Sequence, residues 1–383
     1  MPMPDPRPGP RANAAEAAGP RPGAGETAAP GTDAARAEAG PARILEAAQR
    51  LAQGRLVAFP TETVYGLGAD AENPEAVARI YAAKRRPADH PVIVHLAPDT
   101  DPGYWAASIP LEARRLMAAF WPGPLTLILP RAARIPGTVS GGQDSIGLRC
   151  PSHPVAQRLL HAFAVLKPHG CGGVAAPSAN QFGQVSPTRA DHVRGEFPDL
   201  DEQALMILEG GPSEVGIEST ILDLSRLDRG VGPVLLRPGH VTAAQIAEVL
   251  GVAPALPDAA APRVSGSLKA HYAPRTPLAL MDRAALLDWL RGGLGGARLA
   301  AVVFEDGGEL PQWPGVDWVA VPADPRGYAR DLYALLRRLD VRGYDGIVLE
   351  RPPAEPAWQA VNDRIGRAAA TFQGLGIRRP GSA

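Results

Sequence analysis

The apolar residues of this chain fall into short runs, each bounded within a few positions by proline, glycine or polar side chains. Leu56–Phe59 stops at Pro60, Pro91–Leu96 carries a single histidine, and Leu125–Leu129 follows Pro122-Gly123-Pro124. A membrane-spanning helix needs about 20 consecutive apolar residues, and no stretch approaches that. Runs this short predict buried strands. Ser145–Arg149, Val174–Ala176, Leu205–Leu208, Ser219–Leu224 and Val234–Arg237 have the same character. Helical spacing lies between them. Ile44, Leu45, Ala48 and Leu51 recur on one face before Gly54, Asn73 caps a helix that opens on Pro74 and runs to Lys84, and Leu111–Phe120 is amphipathic. Further helices are expected over 154–164, 188–195 and 242–250. Strands and helices mix irregularly, which predicts an α/β body with a mixed sheet.

A length of 383 residues fits two domains. Residues 1–40 hold 8 Pro, 6 Gly and 12 Ala with no aromatic, Leu, Ile or Val, so they cannot offset their ordering entropy by burial and are expected to be a disordered tail. The first body is then 41–252. From 253 to 277 the composition turns to Pro, Ala, Ser and Gly, the mark of a linker. Regular alternation follows: strands at Leu278–Met281, Leu299–Phe304 and Gly346–Leu349, and helices at Arg283–Leu290, Tyr328–Leu339 and Trp358–Ala370. That pattern predicts a smaller parallel-sheet, Rossmann-like domain over 278–376, with 377–383 as a tail.

Thirty-nine basic residues stand against 40 acidic ones, and a net charge of −1 argues against non-specific coating of nucleic acid. Two cysteines make no disulfide framework, and no secretory pattern opens the chain, so the expected location is the cytoplasm with no membrane association. Only Lys84, Lys167 and Lys269 are lysines, and Asn is confined to positions 13, 73, 180 and 362. In an Ala-, Gly-, Pro- and Arg-rich background each of these is a small departure from coding bias.

No Walker loop, dinucleotide fingerprint or nucleophile elbow is present, and Gly292–Gly296 reads as a helix end and loop. Cys150-x-x-His153 and His169-x-Cys171 supply zinc-type ligands without a paired knuckle, so a buried thiol and loop residues are the preferred reading. What remains is polar chemistry at strand ends. Thr61-Glu62-Thr63 follows a strand, Lys84-Arg85-Arg86-Pro87 closes a helix, and Ser178 and Asn180 follow a strand that meets Pro177. Glu218-Ser219-Thr220 and Leu236–Gly239 extend the set. Capping and turn formation account for each alone. Together they supply hydroxyls, an amide and cations suited to a polyanion and a small polar ligand.

Phe59–Ala69 (FPTETVYGLGA), Lys84-x-Arg86-Pro87, Phe120–Thr126 (FWPGPLT), Pro177–Asn180 (PSAN), Gly216–Asp223 (GIESTILD) and Leu236–Gly239 (LRPG) occur in this order. The series resembles the YrdC-type threonylcarbamoyl-adenylate synthases. Ser267–Pro277 (SLKAHYAPRTP) and Val361–Ala369 (VNDRIGRAA) are similar to the linker and the end of the C-terminal domain of the long, two-domain members.

The resemblance implies that L-threonine, bicarbonate and ATP yield threonylcarbamoyl-AMP and pyrophosphate. A separate transferase would then place the group on adenosine 37 of tRNA. It also implies Mg²⁺ carried by the ATP phosphates, with no metal ligand from the protein. By matched position, Lys84, Arg86, Ser178 and Asn180 are the catalytic set. Thr63, His95 and Thr126 hold threonine or carbamate, while Arg149, Ser219, Arg237, His271 and Tyr272 contact the nucleotide. The linker at 253–277 is implied to fold back as a gate. Three departures stand out: His90 where the family has Asn, an insertion over 167–173, and the tail at 1–40. The family also suggests weak tRNA or RNA contact, and a non-catalytic RNA binder is the alternative class; near-zero charge and scarce aromatics disfavour it. Carbamoyl-adenylate chemistry is a third reading, without its usual acylphosphatase and zinc-finger modules.

Overall fold

A computed structural model describes residues 38–305 and 310–373. The expected tails therefore lie outside the described residues, apart from 38–40. These three dock on the body, where Ala39 is buried and its N–H donates to the Glu209 carbonyl at 3.0 Å.

Nine strands among the described residues form one mixed sheet. In chain order they are β1 (Leu56–Phe59), β2 (Gly66–Asp70), β3 (Ile93–Leu96), β4 (Leu125–Pro130), β5 (Ser145–Arg149), β6 (Gly173–Ala175), β7 (Leu205–Ile207), β8 (Thr220–Asp223) and β9 (Val234–Arg237), arranged β7-β1-β2-β6-β3-β5-β4-β8-β9. The helices on it are α1 (Pro41–Ala52), α2 (Pro74–Lys84), α3 (Leu111–Phe120), α4 (Pro154–Leu166), α5 (Ala190–Glu196) and α6 (Ala243–Leu250). Alternation along β1 sets the layers. Val57 and Phe59 pack with α1 and α4, while Leu56 and Ala58 face the opposite core with α2 and α3. The Asn73 cap is present, its Oδ1 accepting from the N–H groups of Glu75 and Ala76 at 3.0 and 3.2 Å.

One strand corrects the sequence reading. By its glycines Val64–Gly68 reads as a turn, yet Gly66–Asp70 forms β2, inside the sheet between β1 and β6. Gly68 is there for close approach. A Cβ on it would sit 2.8 Å from Phe59 and 2.9 Å from Val174, so two neighbouring side chains fill the space a larger residue would need.

The second domain has β10 (Leu278–Met281), α7 (Arg283–Arg291), β11 (Leu299–Phe304), β12 (Val316–Val321), α8 (Pro325–Asp340), β13 (Gly346–Glu350) and α9 (Gln359–Ala370). Its sheet, ordered β10-β13-β11-β12, is parallel throughout. The edge strand β12 had escaped the sequence pattern. The described residues belong to one compact unit, and Val64, Val185 and Ile217 of the first body share a core with Tyr328, Leu332 and Tyr333 of α8.

The linker is pinned along its length. Arg226 joins Asp223 at 3.0 Å to Asp258 at 2.9 Å, Gln143 and Arg263 exchange backbone–side-chain bonds at 2.8 and 3.0 Å, and Asp340 accepts from the N–H groups of Arg275 and Thr276. Within it, 255–260 and 267–270 are exposed stretches.

Candidate active site

The sheet brings the polar strand ends into register. His95 pairs with Arg149 across β3 and β5, and Ile221 is flanked by Thr126 of β4 and Arg237 of β9. Between these strands, the β1–β2 turn, the loop after β6 and the linker lies a cavity of about 570 Å³, its mouth included. Thr63, Lys84, Arg86, His95, Arg149, Ser178, Asn180, Ser219, Arg237, His271 and Tyr272 all line it. Thr126 stands one layer behind, its hydroxyl 2.8 Å from that of Ser219.

Two clusters make up the walls. In the first, Lys84 at the end of α2 is 1% exposed and its ammonium donates to the carbonyl of Ser178 at 2.6 Å and to that of Asn180. Burial, and secondarily the Arg86 charge, push its pKa well below the ordinary lysine value. The expected cationic helix cap is thus also the tie that shapes the Pro-Ser-Ala-Asn loop. Arg86 donates to the Pro91 carbonyl at 2.8 Å and stacks over Phe182 at 5.7 Å; burial lowers its pKa to about 10. His90 meets the same Phe182 ring edge-on at 5.3 Å.

In the second cluster the Arg149 guanidinium bonds Glu62 at 2.7 Å and the Thr63 hydroxyl at 2.9 Å, all three groups buried. Glu62 also accepts from the Ser152 N–H at 3.2 Å. Arg237 donates to the Ser219 carbonyl at 3.0 Å, its hydroxyl at 3.2 Å and the linker carbonyl of Ser265 at 2.8 Å. Burial, with the Arg149 charge second, lowers His95 to about 3, so the imidazole is neutral. Burial likewise lowers His271 to about 3.

Five cavity-lining side chains keep a buried polar atom without a hydrogen-bond partner: Arg86 Nε, His95 Nδ1, Asn180 Oδ1, His271 Nδ1 and Tyr272 Oη. An orphaned buried polar atom costs about 1–3 kcal/mol, so five around one cavity point to a polar ligand that completes them.

Glu218 is the lining residue whose connections were invisible in the sequence. Ser186, Tyr333 and Arg364 all bond its carboxylate, at 2.6, 2.9 and 2.7 Å. The zinc-type residues disperse into structural work: His153 caps α4 and bonds the Gly210 carbonyl, while His169 pairs with Glu72 at 3.1 Å. Lys167 of the insertion bridges Asp70 at 2.6 Å and Glu72 at 3.2 Å, stapling that loop to the end of β2. Lys269 is exposed on the linker.

Residues 49–239 match the Sua5, YciO and YrdC family, described as telomere recombination, and residues 241–370 match the threonylcarbamoyl-AMP synthase C-terminal domain. A threonylcarbamoyl-AMP synthase of Bacillus subtilis is 37% identical over 85% of this chain and 93% of its own, and that of Pyrococcus abyssi 36% identical over 85% and 94%. The crystal structure of P. abyssi Sua5 complexed with L-threonine superposes with a TM-score of 0.73 at 32% identity, covering 86% of this chain and 95% of that one. A mixed-sheet α/β domain bearing this cavity, joined to a parallel-sheet domain, is the two-domain Sua5 architecture. The chain belongs to the threonylcarbamoyl-AMP synthase family.

Proposed function

We propose that the cavity condenses L-threonine, bicarbonate and ATP into threonylcarbamoyl-AMP and pyrophosphate, making the chain a nucleotidyltransferase. The observation that carries this is the ring of five unpartnered polar atoms facing one enclosed space. The reaction needs a carbamate oxygen to attack the α-phosphate while charge grows at phosphorus and on the leaving pyrophosphate. Cations and fixed dipoles stabilise such charge, and no enzyme nucleophile is required. Lys84, Arg86, Ser178 and Asn180 are proposed at the phosphates and carbamate.

Geometry divides the remaining candidates differently from the family-based expectation. Arg149 bonds Thr63, and Ser219 bonds Thr126, so both are proposed at the threonine and carbamate end with them. Neutral His95 supplies a lone pair there to accept a hydrogen from the substrate amine or hydroxyl. Arg237, His271 and Tyr272 stay with the nucleotide. Among the described residues no group of three or more His, Cys, Asp or Glu is placed to hold a metal, and the Glu218 carboxylate is already bonded on both oxygens. The Mg²⁺ that the family implies would travel with the ATP phosphates.

The linker is proposed as a gate. Ser265, His271 and Tyr272 form part of the cavity wall. With the linker forming that wall, ATP enters when the linker lifts. Closure then shelters a carbamate that is labile in water. Removing 253–277 is expected to abolish or uncouple synthesis. The product would pass to a separate tRNA transferase in the cytoplasm, a setting that suits the unpaired thiols of Cys150 and Cys171. The deciding assay follows pyrophosphate release from ATP, bicarbonate and Mg²⁺ with and without L-threonine. Release indifferent to threonine would overturn the proposal.

A further inference from the structure

Helix α9 carries an arrangement that the reaction chemistry does not require. One carboxylate orients two guanidiniums a helical turn apart: Asp363 accepts from Arg364 at 2.5 Å through Oδ2 and from Arg367 at 3.0 and 2.8 Å through Oδ1. Fully buried Arg364 donates to the Glu218 carboxylate at 2.7 Å and to its backbone carbonyl at 3.3 Å. Its guanidinium also lies over the Tyr272 ring at 5.4 Å. Arg367 turns to the linker. Its Nη1 donates to the carbonyls of Ser267 at 2.9 Å and Leu268 at 2.6 Å, and its own backbone carbonyl accepts from the His271 N–H at 3.2 Å. One helix of the second domain thus holds the cavity wall with one residue and the strap across the cavity with another.

We propose that Arg367 is a positioning residue that latches the linker over the active site, acting through Ser267, Leu268 and His271, with Arg364 anchoring the latch to Glu218. Arg367 lines no part of the cavity, so it acts through the linker alone. The strap is held at an exposed stretch: 267–270 face solvent, while His271 and Tyr272, immediately following, are buried in the wall. Among the described residues, Arg367 is the side chain that ties the carbonyls of Ser267 and Leu268 to the body. The inference rests on the gate reading of 253–277, and the test separates the two.

The chain's lysine scarcity supplies a readout. A Lys-specific protease has three targets: Lys84 is buried and Lys167 sits between two carboxylates, which leaves exposed Lys269 at the centre of the latched segment. Cleavage there needs several flanking residues to leave the surface, so its rate reports the open population. Removing a charged hydrogen-bonding fork shifts such an equilibrium on the order of tenfold. Arg367→Ala is therefore expected to be cut at Lys269 about ten times faster than the unaltered protein, with an unchanged melting temperature. Arg367→Lys should fall between them, because an ammonium reaches a carbonyl without the planar fork. Asp363→Ala, which removes the carboxylate from both guanidiniums, should resemble Arg367→Ala. In steady-state pyrophosphate release the latch variants should lose kcat while the KM for ATP does not rise. A cleavage rate indifferent to all three changes overturns the latch. Faster cleavage with unaltered kcat upholds the latch and overturns the gate.

Discussion

Replacing Lys84 by Met separates the loop tie that the structure shows from the catalytic role proposed for this side chain. The ammonium holds the carbonyls of Ser178 and Asn180 and also faces the cavity. Two hydrogen bonds from a charged donor are worth about 1.5–3 kcal/mol each. Against them stands a desolvation penalty of several kcal/mol for burying the charge, visible in the downward push on its pKa. The two nearly cancel, and a thioether of similar length fills the same space, so the net stability change should stay within about 2 kcal/mol. Catalysis has no such compensation: losing one preorganised donor to developing charge costs about 10²–10³ in turnover, about 2.7–4 kcal/mol. The assay is threonine-dependent pyrophosphate release, paired with urea unfolding of the same preparation. Turnover should fall at least a hundredfold while the urea midpoint moves little. A variant that loses several kcal/mol of stability yet keeps its turnover would show that Lys84 is a loop tie and nothing more. Lys84→Arg should not rescue it, because a fully enclosed pocket shaped for a compact ammonium does not admit a planar fork.

Other outcomes follow from the same geometry. His95 and His271 are neutral in the folded protein with pKa values near about 3 against an unfolded value of 6.5, so the stability they protect is complete above pH 6.5 and is lost as pH falls toward 3. At pH 5 each should contribute about 2 kcal/mol of destabilisation, and His95→Gln should remove its share from the difference between urea midpoints at pH 7 and pH 5; an identical difference would contradict the burial argument. Gly173→Ala would set a Cβ 2.5 Å from the Trp105 ring and 2.7 Å from Val94, an overpacking expected to cost about 1–3 kcal/mol in thermal unfolding. Glu62→Ala leaves the buried Arg149 charge without its partner and should cost about 3–5 kcal/mol by urea unfolding. A loss near zero would mean that water reaches that pair.

The elements that the sequence foretold are those whose local signals agree with their burial. Helix α2 has its Asn73 cap and Pro74 start, and β10 and β11 appear at their expected bounds. β2 was hidden because Gly66 and Gly68 look like turn residues, whereas their lack of a side chain serves sheet packing. β12 was hidden because an edge strand is only partly buried and lacks a continuous apolar run. The cavity residues were legible as motif positions, since Lys84 and Arg237 end recognisable elements and Asn180 lies in the loop after β6. Their pairings were not: Arg149 with Thr63, Ser219 with Thr126 and Arg364 with Glu218 depend on strand order and on domain contact. Lys167, unexplained by spacing, becomes intelligible once β2 places Asp70 and Glu72 beside it.

The bond between Arg364 and Glu218 joins positions 146 residues apart, and this has a bearing on how the protein is made. Contacts that distant form late, after the loop-closure entropy of everything between them has been met. During synthesis Lys84, Arg149 and Ser219 leave the ribosome well before α9, so a nascent chain holds most of the cavity wall while Glu218 has no countercharge from Arg364. An uncompensated carboxylate favours water over burial. The first domain is therefore expected to keep that corner of the pocket open until the second domain docks. Pyrophosphate release by residues 41–252 alone is therefore expected to be slower than by the whole chain.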